Sequence, residues 1–435
     1  MQNNFQHKKI AVIGEGLEGL SSAKYLKDKG AGVIILDKKQ GDNYLEGLDK
    51  YDLIVRSPGV KPQLLGKYRN VTSQTMLFFE LAPCKIIGVT GTKGKGTTSS
   101  LIYEMLKKQG FDAYLGGNIG EPPFNFLDKL NAQSVVVLEL SSFQLLDLDK
   151  SPHIAVMLMT TSEHLDYHSD VDEYVDAKRN ILKFQTEKDY AILNRDYPAS
   201  NESDIHTNAK VFYVSTERNG YEGCSVKDNA VILNLNGKEE KIINTSEILL
   251  PGKHNLENVC AAVLAATLSR VSKENIASVL KTFKGLEHRL ELVSTVKGVK
   301  YYDDSFSTTP ETAIAAINAF NNPEILILGG SSKNSNFKEL GEVISKAENI
   351  KAIIGIGVEW PRIKEKFVNL ASNVLLIEGA DSMEKIVKAA SKLAVLGDVV
   401  LLTPACASFD MFKNYKDRGE QFKKEVEKIK LETSN

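Results

Sequence analysis

The sequence predicts an α/β fold of three domains built on mainly parallel sheets, and three observations carry that expectation. Short apolar runs alternate with helical patterns along the chain. Some of these runs, "SVVVLELSS" and "HIAVMLMT" among them, are apolar almost throughout, as strands covered on both faces must be. Two runs end in glycine-rich loops that open a helix, "VIGEGLEGL" and "GVTGTKGKGTT". At 435 residues the chain is long for a single core, and the expected domains cover 1–82, 83–290 and 291–435.

In the first section "KIAVIG", "GVIILD" and "DLIV" read as strands of a small parallel unit between Lys9 and about Ala82. The second opens at "KIIGVTGTKGKG", continues through Ser134–Ser142 and His153–Thr160, and runs to about Leu290. Its stretch Asn201–Glu247 is polar and broken, with short strands such as "VFYVS", and is expected to form a peripheral β insertion. The third section shows "EILILGG", "KAIIGIG", "NVLLIEG" and "DVVLLTPACAS" with helical patterns between them. That is a doubly wound sheet, whose sites fall at the carboxyl ends of its strands.

Composition excludes several classes. The 56 acids and 54 bases leave a formal charge of -2, so nothing global points to nucleic acid or a membrane surface. The four cysteines, Cys84, Cys224, Cys260 and Cys406, match no zinc or redox spacing, and reduced thiols in a cytoplasmic protein are expected. The first residues run straight into a strand pattern without an apolar leader, and no run is long enough to span a bilayer.

"GVTGTKGKGTT" follows the apolar run Lys85–Val89 and precedes a stripe of Leu101, Ile102, Met105 and Leu106. Strand, glycine loop and helix aim backbone N–H groups and a helix N-terminus at a phosphate. Gly91, Thr92, Lys93, Gly94, Gly96 and Thr98 complete the cradle around Lys95, which would meet the β- and γ-phosphates. Gly96 interrupts the strict phosphate-loop spacing, so Thr97 is the better Mg²⁺ hydroxyl and Thr98 the second. The bland alternative is a flexible Gly/Thr turn, which the flanking strand and helix disfavour.

"VIGEGLEGL" carries Gly14, Gly16 and Gly19 after a strand, and Asp37 ends the next strand where an acid meets a ribose. Alone, this points to NAD or FAD. Glu15 and Glu18 inside the loop weaken that reading, since carboxylates beside a pyrophosphate repel it. With a second phosphate loop in the chain, one nucleotide reads as a substrate handle and the other as the energy source.

Glu139 ends a buried strand, where a carboxylate is costly unless it meets a metal or a base; a capping acid at the turn is the plain alternative. In "TTSEHLDYHSDVDEYVDAKRNIL" a helix is expected from near Ser169, with Asp172 in a capping position. Its apolar stripe is Val171, Tyr174, Val175, Ile181 and Leu182, and Lys178 falls in the middle. A snorkelling lysine is the ordinary explanation. Glu163 and His164 lie just upstream at a strand end, and a carbamylated, anionic Lys178 holding a metal is the other.

Together these pieces resemble the Mur ligase family of ATP-dependent amide-bond-forming enzymes. The matching segments are "GVTGTKGKGTT", "LELSSFQL", "SEHLDYH…DAKRNIL", "GKHNLENVCAA", "HRLE", "YYDDSFSTTPET" and "TPACASFDMFKNYKDRGEQF", in the family's order through all three sections. "RSPGV", "GNIG" and "ELSSFQL" are similar to the branch that adds D-glutamate to UDP-N-acetylmuramoyl-L-alanine in peptidoglycan precursor synthesis. The resemblance implies a Rossmann-like UDP-binding domain, a P-loop-type central ATPase domain and a Rossmann-like amino-acid-binding domain, in a monomer. It implies ATP phosphates on Lys95 and a first Mg²⁺ on Thr97 and Glu139. His164 and carbamylated Lys178 would hold a second Mg²⁺. Asn255 and Asn258 match positions around the adenine, Arg289 approaches the ATP phosphates, and Asp304 the ribose. Gly14, Gly16, Leu17, Asp37, Ser57 and Asn118 would hold the UDP-sugar. Lys333, Ser408, Tyr415 and the Phe306 position would hold the amino acid.

The chain departs from that branch at three places. Phe306 stands where a lysine is usual, which opens the choice of amino acid. Gly96-Thr97 is more like folylpolyglutamate synthase. Glu18 replaces a small hydroxyl residue beside the diphosphate, which the loop tolerates if the side chain points to solvent. A folate-type glutamate ligase lacks the N-terminal unit, and an NAD-dependent oxidoreductase leaves Glu139, His164 and Lys178 unexplained.

Overall fold

The first glycine-rich run folds as strand, turn and helix. β1 (Lys9–Ile13) passes through the glycines into α1 (Leu17–Asp28). β2 (Gly32–Leu36), β3 (Leu53–Arg56) and β4 (Val71–Ser73) complete a four-stranded parallel sheet in the order β2-β1-β3-β4. α2 (Gln74–Leu81) follows, and its first turn is capped by the Ser73 hydroxyl, which accepts from Met76 N. The computed structural model describes residues 5–161, 167–332 and 335–434.

The second section builds a nine-stranded sheet. Its strands are β5 (Lys85–Thr90), β6 (Ala113–Gly117), β7 (Val135–Glu139), β8 (Ile154–Met157) and β9 (Tyr190–Asn194), then β10 (Lys210–Ser215), β11 (Gly223–Lys227), β12 (Ala230–Leu235) and β13 (Lys238–Asn244). The order is β13-β12-β11-β10-β9-β8-β5-β7-β6. α3 (Lys95–Gln109) follows β5, the single turn α4 (Ser142–Leu145) follows β7, and α5 (Val171–Lys183) follows β8. In register, Val89 on β5 lies beside Glu139 on β7, Glu139 beside Gly117 on β6, and Thr90 beside Met157 on β8. The strands therefore end level, and the described segments that directly follow them lie at one end of the sheet.

The expected β insertion at 201–247 proves to be the flank of this same sheet. β10 pairs in parallel with β9 and β11 with β10, while β12 and β13 return antiparallel. The antiparallel turns fall at Asp228-Asn229 and Asn236-Gly237, all with positive φ, the conformation tight hairpins require. The helix start also moves. Asp170 caps α5 by accepting from Glu173 N at 2.8 Å, and the Glu173 carboxylate takes Ser169 N at 2.6 Å. Asp172 is left exposed in the first turn, as is Val171, so the buried stripe runs through Tyr174, Val175, Ala177, Lys178, Ile181 and Leu182.

The chain divides into two compact units, Met1–Ile248 with His254–Thr282, and Leu249–Lys253 with Phe283–Asn435. The first holds both sheets because they share a core: Ile10, Val12 and Phe78 pack in one buried cluster with Phe124, Phe126, Val136 and Leu138. A buried arginine crosses the same boundary. Arg56 donates to both oxygens of Asp147, at 3.0 and 2.6 Å, and to the carbonyls of Val60 and Phe143 at 2.9 and 3.2 Å.

The second unit has its own six-stranded sheet. β14 (Glu291–Val296), β15 (Val299–Asp303), β16 (Glu324–Gly329), β17 (Ile350–Ile356), β18 (Leu375–Ile377) and β19 (Val399–Leu402) lie in the order β14-β15-β19-β16-β17-β18. Only β14 runs antiparallel to its neighbour. One face is covered by a cluster with Leu340 and Ile344 of helix Lys338–Lys346, the other by Ile386 and Val387 of Met383–Leu393 with Phe422 and Val426 of Tyr415–Ser434. Among the described residues no helix is long and apolar enough to cross a membrane.

Removing Arg56 strands a carboxylate and several carbonyls inside the first unit. Arg56→Ala should cost about 3 kcal/mol, read as a lowered midpoint in thermal unfolding. An unchanged midpoint would show that the ion pair does not fasten the two sheets.

Candidate active site

The loop Gly91–Gly94 leaves β5 and opens α3. Gly94 is the residue before the helix, at φ +86°, and a Cβ there would stand 2.1 Å from Asn258 Oδ1, so only glycine fits. Thr98 N donates to Gly94 O at 2.9 Å, which starts the helix and leaves the earlier N–H groups facing the loop. Thr92 fastens the loop from behind. Its N–H reaches Met159 O at 2.7 Å, and its hydroxyl accepts from Thr161 N and meets Tyr174 Oη, both at 3.0 Å. The Lys95 ammonium folds over the loop and donates to Gly91 O and Thr92 O, each at 2.9 Å. Gly96, Thr97 and Thr98 are buried in the first turn of α3, and Lys93 is exposed. Asn255 and Asn258 are buried on helix Lys253–Leu268. Asn258 donates to Asn255 Oδ1 at 3.0 Å and stands directly against Gly94.

Lys178 is the residue that α5 delivers to this loop. It is 1% exposed, its ammonium donates to Gly91 O at 2.8 Å, and it lies 4.6 Å from the centre of the Tyr174 ring. Its place in the apolar stripe is thus a directed one: the side chain crosses the core to the glycine-rich loop instead of running out to solvent. Glu139, 6% exposed, ends β7 level with the start of the loop, and Asn118 Nδ2 donates to its Oε1 at 2.9 Å. His164 lies outside the described residues. His168 was not anticipated: it is buried against Phe143 and bonds Ser142 Oγ at 2.9 Å.

A second feature of the same unit is a cavity of about 560 Å³ whose lining includes Gly14, Gly16, Leu17, Asp37, Ser57 and Asn118, all six of the expected UDP-site residues. Gly16 has φ -73° and ψ 179°, open to any residue, and a Cβ there would meet nothing within 4 Å. The protein does not need that glycine for its own packing, and the space beside it is open to the cavity. Asp37 accepts from Glu15 N and Lys39 N at 2.8 and 3.0 Å, and these bonds hold its carboxyl below the usual range. Glu18 does not point freely to solvent, as its tolerance seemed to require. It is half-buried and takes a hydrogen bond from Gln144 Nε2, a partner the sequence reading did not single out. The signal was there: Ser141 and Gln144 in "ELSSFQL" form a capping box.

In the second unit the structure brings Arg289, Phe306 and Tyr415 together. The Arg289 guanidinium lies 4.2 Å from the centre of the Phe306 ring, and Tyr415 meets that ring edge-on at 5.3 Å. Asp304 is turned inward. Its oxygens accept from Leu290 N at 3.1 Å and Thr403 Oγ1 at 3.0 Å, and burial pushes its carboxyl up to about 7. Ser408 is buried, and its carbonyl accepts from Phe412 N at 2.8 Å. Lys333 lies outside the described residues.

Comparison with known proteins agrees with this geometry. The Mur ligase middle domain matches residues 89–266, and the Mur ligase glutamate ligase domain matches 288–406. A UDP-N-acetylmuramoylalanine–D-glutamate ligase of Acetivibrio thermocellus is 38% identical, over 98% of both chains. The ligase of the same name from Clostridium botulinum is 37% identical over 99% of this chain and 100% of its own. Among solved structures, MurF ligase from Thermotoga maritima in complex with ADP superposes with a TM-score of 0.60 at 18% identity, covering 98% and 100% of the two chains. UDP-N-acetylmuramate-alanine ligase from Thermotoga maritima gives 0.61 at 16%, covering 99% and 100%. These structures share the mixed, mostly parallel α/β fold. The two full-length relatives named as D-glutamate ligases and the two matched domains define an ATP-dependent amide-forming ligase. The chain belongs to the Mur ligase family.

Proposed function

We propose that this chain is an ATP-dependent ligase that joins D-glutamate to UDP-N-acetylmuramoyl-L-alanine, releasing ADP and phosphate, in peptidoglycan precursor synthesis. The observation that carries the reaction class is the meeting of Lys95, Lys178 and the Glu139 strand end at one sheet edge. D-glutamate as the added amino acid rests on the full-length relatives named for it. We read 1–82 as the UDP-sugar domain, 83–290 as the ATP domain and 291–435 as the amino-acid domain, in a cytoplasmic monomer.

The carboxylate of the UDP-sugar's alanine attacks the γ-phosphorus of ATP. An oxygen–phosphorus bond forms and the bond to the ADP oxygen breaks, giving an acyl phosphate. The amine of D-glutamate then attacks the acyl carbon, loses a proton, and phosphate leaves. Residues 91–98 contribute N–H groups and a helix N-terminus to hold the phosphates, and Lys95 offsets the charge at the β- and γ-positions. Asn258 keeps the loop in shape from behind, with Asn255 bonded to it. Thr97 and Glu139 offer the hard oxygen donors that suit Mg²⁺, and His164 with a carbamylated Lys178 would serve a second ion. Bound Mg²⁺ supplies charge neutralisation at the transferring phosphoryl group. Asn118, bonded to Glu139 and lining the UDP cavity, ties the two substrates together. The ATP roles of Arg289 and Asp304, and the amino-acid role of Ser408, Tyr415, Lys333 and the Phe306 position, rest on the family resemblance alone, and Asp304 would have to leave its bonds to Leu290 N and Thr403 Oγ1 to meet a ribose. Catalysis is positioning and electrostatics, without a protein nucleophile.

Phosphate release with ATP, Mg²⁺ and UDP-N-acetylmuramoyl-L-alanine, screened over D-Glu, L-Glu, L-Lys, diaminopimelate and glycine, should occur with D-Glu alone. Release with another amino acid instead would move the specificity to the Phe306 surroundings; release with none would reject the acceptor. Lys178→Ala should lose most of this activity and regain part of it with a short carboxylate added to the buffer. Full activity without the additive would end the carbamate reading.

A further inference from the structure

Glu18 is an acid in a cavity read as a diphosphate site, and its surroundings explain what it does there. It stands in the first turn of α1, on the wall that also carries Gly14, Gly16, Ser57 and Asn118. Its carboxylate is bonded by an amide, Gln144 Nε2 of α4. Its own carbonyl accepts from Ser22 Oγ at 2.7 Å and Gln74 Nε2 at 2.9 Å, which fixes the turn. Among the described residues, most of the charged groups around it are engaged. Arg56 on β3 is bonded to Asp147 at 3.0 and 2.6 Å. After β2, Asp37 is held by the N–H groups of Glu15 and Lys39, and the Glu15 carboxylate faces the Lys39 ammonium at 3.5 Å. Lys38 lines the same cavity. From α2 and the turn Pro123–Asn125, the groups that meet α1 are amides, Gln74 and Asn125. Burial pushes the Glu18 carboxyl up to about 7, against smaller opposing effects of Gln144 and Arg56.

We propose that Glu18 is a proton-linked binding residue: the protein takes up a proton at this carboxyl when a diphosphate ester enters the cavity. The inference rests on the UDP reading of the cavity above. An ionised Glu18 and a diphosphate in the same cavity would repel each other, and protonation removes the repulsion. A neutral carboxyl keeps one oxygen for Gln144 and gains an O–H that donates to a phosphate oxygen, which only accepts. An acid at this position therefore makes substrate affinity depend on pH where a hydroxyl residue would not.

The test is calorimetric titration of the full chain with UDP-N-acetylmuramoyl-L-alanine, in pairs of buffers with different ionisation enthalpies, from about pH 6 to about pH 8.5. The wild type should take up roughly half a proton per ligand near pH 7 and close to one near pH 8, and its affinity should fall about fivefold from pH 7 to pH 8, approaching about tenfold per unit above that. Glu18→Gln keeps an acceptor for Gln144, and Glu18→Thr restores a small hydroxyl. Both should bind with the uptake abolished and the slope flattened. Uptake and slope unchanged in both variants overturn the proposal. Wild-type binding without proton uptake overturns it too, while leaving the UDP reading intact. No binding by the wild type overturns the UDP reading itself, and this inference with it.

Discussion

One carbonyl oxygen organises the first unit. Gly91 O accepts from the Lys95 ammonium at 2.9 Å and from the Lys178 ammonium at 2.8 Å. The first lysine comes from the helix the loop opens, the second from a helix 87 residues away in sequence. Two ammonium groups converging on one carbonyl tie α3 and α5 to the same point of the loop. The geometry depends on glycines that let the chain turn and on Thr92, whose hydroxyl joins the loop to Tyr174 and Thr161.

From that loop the site extends sideways through the sheet. Because β5, β7 and β6 end level, Glu139 and Gly117 are neighbours, and Asn118 reaches the Glu139 carboxylate from the far side. The same asparagine lines the 560 Å³ cavity above the smaller sheet. A single short path therefore links the glycine-rich loop to the cavity: loop, Glu139, Asn118. The two parts hold this relation because they share one buried core and the Arg56–Asp147 pair.

What could be read from the sequence was what is local. The fully apolar runs mark strands covered on both faces, and each glycine-rich loop is adjacent in sequence to the strand and helix that give it its geometry. Lys178 was legible because it breaks an apolar stripe, and the structure gives that break a direction. Pairing was not legible. Residues 201–247 looked like an insertion because polar residues alternate through their strands. Their place at the edge of the main sheet is set by β9, which lies elsewhere in the sequence, and the hairpin dipeptide Asn236-Gly237 was not singled out. The cap at Asp170 was missed because several acids and a serine compete there, and only the side-chain geometry chooses. The fate of Glu18 was also hidden, since Gln144 is 126 residues away and burial is a property of the folded cavity.

The central claim is that the loop, its two lysines and the Glu139 strand end activate a carboxylate with the γ-phosphate of ATP. The most direct measurement uses UDP-N-acetylmuramoyl-L-alanine labelled with ¹⁸O in its carboxylate, turned over with ATP and D-glutamate, with the released phosphate analysed by mass spectrometry. An acyl phosphate predicts that one labelled oxygen appears in each phosphate released. Phosphate without the label would contradict the account, because the carboxylate oxygen would never have been bonded to phosphorus.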